Sequence, residues 1–188
     1  AVLKKYFDED GKLSSEQVLS DEITQEIRYY HPDGTRKGIL TYKEDMPYNG
    51  TLYEGLIEQH YKDGLLVYSK SLRVEGNLKA ETKINADHTA YNSTVYDEKG
   101  AITYTYSYPL EENGGFTAQI VQYVNGKAAT KAVVKEGILQ SGKIKYKSEY
   151  GFKEQERSGK WVLLKIFSPE GKLLQESKIL AETEENDL

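Results

Sequence analysis

The chain has 188 residues, a net charge of −5, no cysteine, and as many tyrosines as glycines, 16 of each. The absence of cysteine excludes disulfides, thiol catalysis and zinc held by thiolates. No apolar run approaches the roughly 20 residues of a membrane-spanning helix, and no long basic run offers the clustered cations that nucleic acid requires, so we expect neither a transmembrane segment nor a nucleic-acid partner.

Turns that contain glycine recur from one end of the chain to the other. Many follow an aromatic and an acidic residue, as in YFDEDGKL (6–13), YYHPDGTR (29–36) and YDEKGAIT (96–103). Asp-Gly and Asn-Gly pairs readily adopt the positive φ angles of tight hairpin turns. The sequence therefore predicts structural turns at Gly11, Gly34, Gly50, Gly64, Gly100, Gly126 and Gly171.

The segments between these turns alternate apolar and polar residues with a period of two. LKAETKI (78–84), ITYTYSY (102–108) and KIKYKSEY (143–150) are examples. Such alternation is typical of antiparallel strands with one packed and one solvated face. FTAQIVQYV (116–124) and WVLLKIF (161–167) are apolar on both faces. They are therefore predicted to be the most buried strands, with the ring of the single tryptophan buried.

One early segment has an ambiguous pattern. In SEQVLSDEITQEIRYY (15–30) the apolar residues fall at nearly helical spacing, yet the segment is rich in β-forming residues and runs directly into a turn. We favour strand. The chain is thus predicted to be all-β: an elongated, twisted, mostly antiparallel sheet of stacked β-hairpins, with degenerate repeats. We expect a single domain over residues 1–180, followed by an acidic tail over 181–188.

The stretch DMPYNGTLYEGL (45–56) has two interpretations. In the favoured one it is one repeat unit, with a turn at Asn49-Gly50 and with Tyr48 and Tyr53 stacked on neighbouring units. In the other it belongs to a recognition site, because tyrosine is favoured at binding surfaces. Tyr48, Tyr53 and Tyr61 are therefore a possible binding surface. A second tyrosine set, over 104–108, is predicted to form the packed face of a thin core.

Several of these motifs resemble a known family. YFDEDGKLSSEQ (6–17), YYHPDGTRKGILTY (29–42) and PYNGTLYEG (47–55) are similar to the variant MORN repeats of bacterial proteins. The resemblance covers about residues 5–66 and continues in patches to residue 180. VYDEKGAITYTYSY (95–108) has a weaker similarity to YD repeats. The resemblance implies a hairpin-built sheet, a binding or scaffolding role, and family members that are often secreted or lipid-anchored.

The sequence offers little chemistry. His31 and His60 lie beside predicted turns and His88 lies in a polar loop, so we interpret all three as surface residues. YFDEDGKLSSEQ fails the calcium-loop pattern, because an EF-hand needs an acid at its first position and Glu at its twelfth. Adjacent carboxylates on a strand point to opposite faces and form no catalytic pair. We expect no catalytic residue, no cofactor and no metal site.

The sequence therefore predicts a non-catalytic binding or scaffolding protein that contacts another protein, a glycan or the cell envelope. We expect it to be secreted, periplasmic or surface-anchored after removal of a leader; a cytoplasmic location is the alternative. An antitoxin or immunity-type protein, whose charge of −5 attracts a basic partner, is the second hypothesis. A closed β-barrel that carries a ligand or acts as an enzyme is the third.

Overall fold

A computed structural model of the chain describes residues 1–20, 22–110, 117–148 and 151–180. Within those ranges it contains sixteen β-strands and no helix. Every strand pair is antiparallel, and each hairpin follows the previous one along the chain. The predicted all-β antiparallel meander is confirmed. No helix long and apolar enough to cross a membrane occurs in the described part, and the predicted acidic tail lies outside it.

The chain forms two compact units, Ala1–Ile84 and Asn85–Leu188. In the first unit each strand pairs with the next one in sequence. Its strands are β1 (Val2–Phe7), β2 (Leu13–Ser20), β3 (Ile23–Tyr30), β4 (Arg36–Lys43), β5 (Met46–Glu54), β6 (Ile57–Lys62), β7 (Leu65–Leu72) and β8 (Leu78–Ile84). The segment 15–30 is strand, as predicted, and forms most of β2 and all of β3.

The second unit repeats this pattern of pairing between neighbours. Its strands are β9 (Ala90–Tyr96), β10 (Ile102–Pro109), β11 (Thr117–Val124), β12 (Lys127–Lys135), β13 (Ile138–Ser148), β14 (Gly151–Ser158), β15 (Trp161–Phe167) and β16 (Leu173–Leu180). Of the two strands predicted to be most buried, β11 contains two core residues. The prediction that β15 is among the most buried strands is wrong, because all of its residues, Trp161 included, are only half-buried.

Six of the seven predicted turn glycines lie between consecutive strands and have positive φ: Gly11, Gly34, Gly64, Gly100, Gly126 and Gly171. Asn125 and Gly126 both have positive φ, 52° and 72°, as a two-residue hairpin turn requires. The prediction for Gly50 is wrong, because Gly50 lies inside β5. The chain reverses earlier, at Glu44 and Asp45, whose φ angles are 51° and 62°.

Gly50 has a different role, which a second glycine shares. A Cβ added at Gly50 would lie 2.0 Å from the carbonyl oxygen of Ile39 on β4, and φ is +114°. In β13, a Cβ at Gly142 would lie 2.0 Å from the carbonyl oxygen of Lys131, with φ +81°. Each strand therefore approaches its neighbour so closely that only glycine fits without displacing backbone.

In the second unit this close approach marks a change of pairing partner. Residues of β13 up to Gly142 pair with β12, whereas Lys143 and those after it pair with β14. Beyond the change, the carbonyl oxygen of Lys145 accepts a hydrogen bond of 2.6 Å from the Tyr104 hydroxyl on β10. The core of this unit consists of Ala118, Ile120, Ala132 and Leu139. Tyr104, Tyr106 and Tyr108 pack against it, which confirms the prediction that these tyrosines form a packed face.

The interior of the first unit is more polar. Its buried hydrophobic residues, among those described, are Leu19 and Leu40. Glu16 on β2 is also buried, and it accepts a hydrogen bond of 2.7 Å from the Tyr30 hydroxyl. Lys5 Nζ lies 3.4 Å from Glu16 Oε1. The hydrogen bond from Tyr30, followed by the charges of Lys5 and Arg28, lowers the pKa of the Glu16 carboxyl although burial opposes the shift.

The two units also share sequence that the pattern of turns alone does not reveal. Residues 62–84 align with 157–179 without a gap, and FDEDG (7–11) matches YDEKG (96–100). Asp8 and Asp97 accept corresponding backbone hydrogen bonds in the two turns. The two units are therefore related by internal duplication. Identical pairs in the longer match are Gly64/Gly159, Val67/Val162, Lys70/Lys165, Glu75/Glu170, Gly76/Gly171, Leu78/Leu173, Glu81/Glu176, Lys83/Lys178 and Ile84/Ile179.

Candidate binding surface

One face of strands β5 to β8 carries aromatic and charged side chains in two cross-strand rows. Directly paired residues in antiparallel strands have their side chains on the same face, and alternate residues of one strand share that face. The first row is Tyr53, Glu58, Lys70 and Glu81, and the second is Thr51, His60, Tyr68 and Lys83. We call these eight residues the β5–β8 face.

Tyr53 is held in place at the start of this face. Its ring lies edge-on to Tyr29 at 5.1 Å between centroids, and Lys37 Nζ is 3.9 Å above it. A Cβ on Gly38 would be only 2.9 Å from the Tyr53 ring, so the missing side chain leaves room for the ring on the sheet. Burial raises the pKa of Tyr29 to about 12 and also raises that of Tyr53, because neither phenolate is well solvated.

Glu58 is the electrostatic centre of the face. Its carboxylate oxygens lie 2.6 Å from His60 Nε2 and 3.0 Å from Lys70 Nζ. Burial alone would raise the pKa of Glu58, but the hydrogen bonds from Lys70 and His60 outweigh it and lower the pKa. The hydrogen bond between Lys70 and Glu58 also raises the pKa of Lys70. Glu58 and Lys70 therefore form a fixed ion pair between two strands.

Tyr68 occupies the next position on the second row. Its ring lies 5.3 Å from the His60 ring, and Lys83 Nζ is 5.6 Å from its centroid. The side chains of His60 and Lys83 remain 38% and 60% exposed. Amphipathic rings and charges are thus presented together on ordered strands, a combination that suits recognition of a polar partner.

The three tyrosines predicted as one surface do not share a face. Tyr53 pairs with Glu58 on β6 and therefore lies on the β5–β8 face. Tyr61 is adjacent to His60 in the same strand, so its side chain lies on the opposite face. Tyr48 lies beside the Asp63-Gly64 turn, where its carbonyl accepts a hydrogen bond from Gly64 N. Of the three, only Tyr53 belongs to the candidate surface.

The second unit carries a corresponding charge row. Lys145, Glu154, Lys165 and Glu176 are paired in order across β13 to β16. Lys165 and Glu176 are the duplicates of Lys70 and Glu81. The aromatic neighbours differ, because Leu163 stands where the first unit has Tyr68. The charge pattern is therefore common to both units, whereas the tyrosine and histidine of the second row occur only in the first.

An open apolar cleft of about 280 Å³ lies elsewhere in the second unit. Leu139 and Val162 line it, together with Ile179 and Leu180 on β16. Gln155 supplies a polar side chain. A ligand site usually combines an apolar enclosure with several converging polar groups, so this cleft is the weaker candidate.

The histidines lie apart in the structure. His31 begins the turn after β3 and His88 lies in the turn before β9, whereas His60 is within β6. His60 lies two residues before the end of β6, and the hairpin turn begins after Lys62. Over the described ranges, no group of three or more histidine or acidic side chains is placed to hold a metal ion.

Comparison with known proteins adds no identification: no family model matches the chain, and neither does any curated protein. Glu58 and Lys70 were not predicted as site residues, because lone charges on alternating strands resemble ordinary solvated residues. The signal that could have found Lys70 is its recurrence as Lys165 in the aligned segments 62–84 and 157–179, whereas Glu58 lies outside that match. Shared charge positions in duplicated strands indicate pairing across the sheet.

Proposed function

We propose that the protein is a non-catalytic binding or scaffolding protein that recognises another macromolecule through the β5–β8 face. The observation that carries the proposal is the set of half-exposed rings on this face, Tyr53, His60 and Tyr68, around the fixed Glu58–Lys70 ion pair. Rigid aromatic side chains provide contact area at a small entropy cost, and ion pairs held by the sheet add directional contacts.

The mixed charges of the face favour a protein or glycan partner over a polyanion. Glu58 and Glu81 alternate with Lys70 and Lys83, so no single sign of charge dominates the surface. A phosphate backbone would require clustered cations. In keeping with the resemblance to variant MORN repeats, we propose that the partner belongs to a bacterial cell envelope and that the protein is exported. Fractionation of cells that express the complete gene product tests the location.

Site-specific photo-crosslinking tests the proposed surface. A photoreactive phenylalanine analogue replaces Tyr68 on the face or, as the control, Tyr123 on β11 of the second unit, and adducts formed in cells are identified by mass spectrometry. We expect one specific adduct from position 68 and none of that mass from position 123. Equal labelling from both positions, or no adduct from position 68, would refute the proposal.

Affinity capture then measures the contribution of the charges. Lys83→Glu reverses the most exposed cation of the face, and Lys127→Glu reverses an exposed cation at the first position of β12. We expect Lys83→Glu to reduce recovery of the crosslinked partner about tenfold. Lys127→Glu should leave recovery unchanged, since it alters net charge by the same amount at a distant position.

A further inference from the structure

The outer edges of β1 and β16 are unlike the other strands of their units. Within the described residues, each has a strand partner on one side only. Both edges carry exposed apolar side chains: Val2 and Phe7 are each 60% exposed, Leu174 is 57% exposed and Ile179 is 50% exposed. An uncovered edge with apolar side chains is a template for pairing with another strand.

The charge rows that reach these two edges are complementary. In the second unit, the row Lys145, Glu154, Lys165, Glu176 ends with an acid on β16. In the first unit, the row Lys5, Glu16, Arg28 starts with a base on β1. Setting β16 beside β1 would therefore continue a strict alternation of charge across the junction. Opposite charges directly paired across strands are stabilising, and like charges are destabilising.

We propose that β16 of one molecule pairs antiparallel with β1 of a second molecule, so that copies of this chain associate head to tail into a continuous sheet. The occupant of each edge is the other edge of an identical chain. The interface is heterologous, which allows chains or rings of more than two copies. The assembly does not depend on which partner the β5–β8 face recognises.

Charge sets the register of this pairing. With Glu176 opposite Lys5, Ile179 falls opposite Val2 and Leu174 opposite Phe7. Each apolar pair then covers part of its exposed surface, and no like charges face each other. Moving β1 by two residues in one direction would place Lys178 opposite Lys5, so that like charges meet. Moving it by two residues in the other direction would place Leu174 opposite Lys5, so that the ion pair is lost. A shift by one residue would turn every side chain to the wrong face.

A symmetrical pair of β1 strands is disfavoured by the same charges. Lys4 and Lys5 occupy the middle of the six-residue strand, so an antiparallel pair of β1 strands in a central register brings the lysines of both copies together. A symmetrical pair of β16 strands would join Glu176 to Lys178 of the second copy and would leave β1 unused. The symmetrical β16 pair therefore does not need β1, whereas the head-to-tail arrangement does.

Substitutions that block one edge at a time distinguish these arrangements. Val2→Glu places a charge in the apolar contact of β1, and Leu174→Glu does so in β16; Val74→Glu, at an exposed turn residue, is the control. Sedimentation velocity is measured from about 1 µM to about 1 mM, and circular dichroism verifies the fold of each variant. We expect unmodified protein and Val74→Glu to associate with rising concentration and each edge variant alone to remain monomeric.

The decisive sample is an equimolar mixture of Val2→Glu and Leu174→Glu. It retains one intact β16 and one intact β1 on different molecules, so we expect a dimer that grows no further. Three results would overturn the proposal: unmodified protein that stays monomeric throughout, association of Val2→Glu alone through β16, or a mixture that remains monomeric.

The register is tested by reversing one charge. Glu176→Lys places a cation opposite Lys5 of the next copy, and we expect association to weaken about tenfold. Glu156→Lys on β14 is the matched control, because Glu156 and Glu176 are both 50% exposed and each contacts one lysine of its own unit. Equal effects of the two reversals would overturn the proposed register.

Discussion

Leu40 in the first unit and Ala132 in the second occupy corresponding positions beside the close-approach glycines Gly50 and Gly142. Both residues are buried, but their surroundings differ. Ala132 belongs to an apolar cluster with Ile120 and Leu139, whereas the first unit also buries Glu16, whose carboxylate contacts the less buried Tyr30 and Lys5. The duplicated backbone thus accommodates two interiors of different polarity. The glycine, rather than the filling of the core, is the shared requirement.

The largest expected effect comes from the glycines themselves. Gly142→Ala would place a methyl group onto the Lys131 carbonyl oxygen at a positive φ, so we expect a loss of roughly 3–5 kcal/mol of stability. Gly50→Ala, with the corresponding clash, should cost a similar amount. Urea unfolding followed by circular dichroism measures both.

Gly126→Ala is the control for this pair, because it has positive φ but no atom within 4 Å of the added Cβ. It should cost only about 1–2 kcal/mol. If Gly142→Ala costs no more than Gly126→Ala, the close approach is not a constraint, and the glycine is not a requirement that the two units share.

Truncation of the core tests the difference between the units. Leu139→Ala removes a side chain that is 3% exposed from the apolar cluster, and we expect a loss of roughly 2–5 kcal/mol. The half-buried Trp161 is the only tryptophan, so its fluorescence reports unfolding of the second unit. A loss below about 1 kcal/mol would mean that the cluster collapses around the smaller side chain and contributes little.

The turns and the strands could be predicted from sequence because their causes are local. The Asn125-Gly126 pair is sufficient by itself to specify a hairpin turn. The alternation of tyrosines from Tyr104 to Tyr108 is sufficient to specify the packed face of β10. Gly50 could not be assigned, since the same Asn-Gly pair serves in a turn or inside a strand, and only the opposing carbonyl of Ile39 decides. The Glu58–Lys70 pair depends on the register between β6 and β7, which is set by the turn that joins them.

The buried carboxylate of the first unit predicts a dependence on pH. Because the folded-state pKa of Glu16 lies below its ordinary value of 4.5, the stabilisation is present above that pH and is lost as pH falls through the lower, folded-state pKa. We expect Glu16→Gln and Tyr30→Phe each to flatten the decline of stability in acid. Thermal unfolding between neutral pH and about pH 3 measures the slope. Slopes equal to that of the unmodified protein would contradict the role assigned to the network.

The smallest effect is spectroscopic and leaves stability at neutral pH unchanged. Burial holds the pKa of Tyr29 at about 12, against an ordinary value of 10.0. Its protonated form is therefore favoured in the folded protein, and stability falls as pH rises between these two values. Ultraviolet titration should show a late phenolate transition that Tyr29→Phe removes. Retention of that transition in the variant would assign it to another tyrosine.

The pairing of every strand with its neighbour in sequence has a mechanical consequence. A load applied to one terminal strand of such a meander acts on the hydrogen bonds of a single hairpin, since among the described strands the ladder joins only neighbours in sequence. Each unit should therefore yield by sequential peeling at low force. Tyr104, whose hydroxyl bonds to Lys145 on a strand that is not adjacent, is the place where we expect the peeling of the second unit to pause.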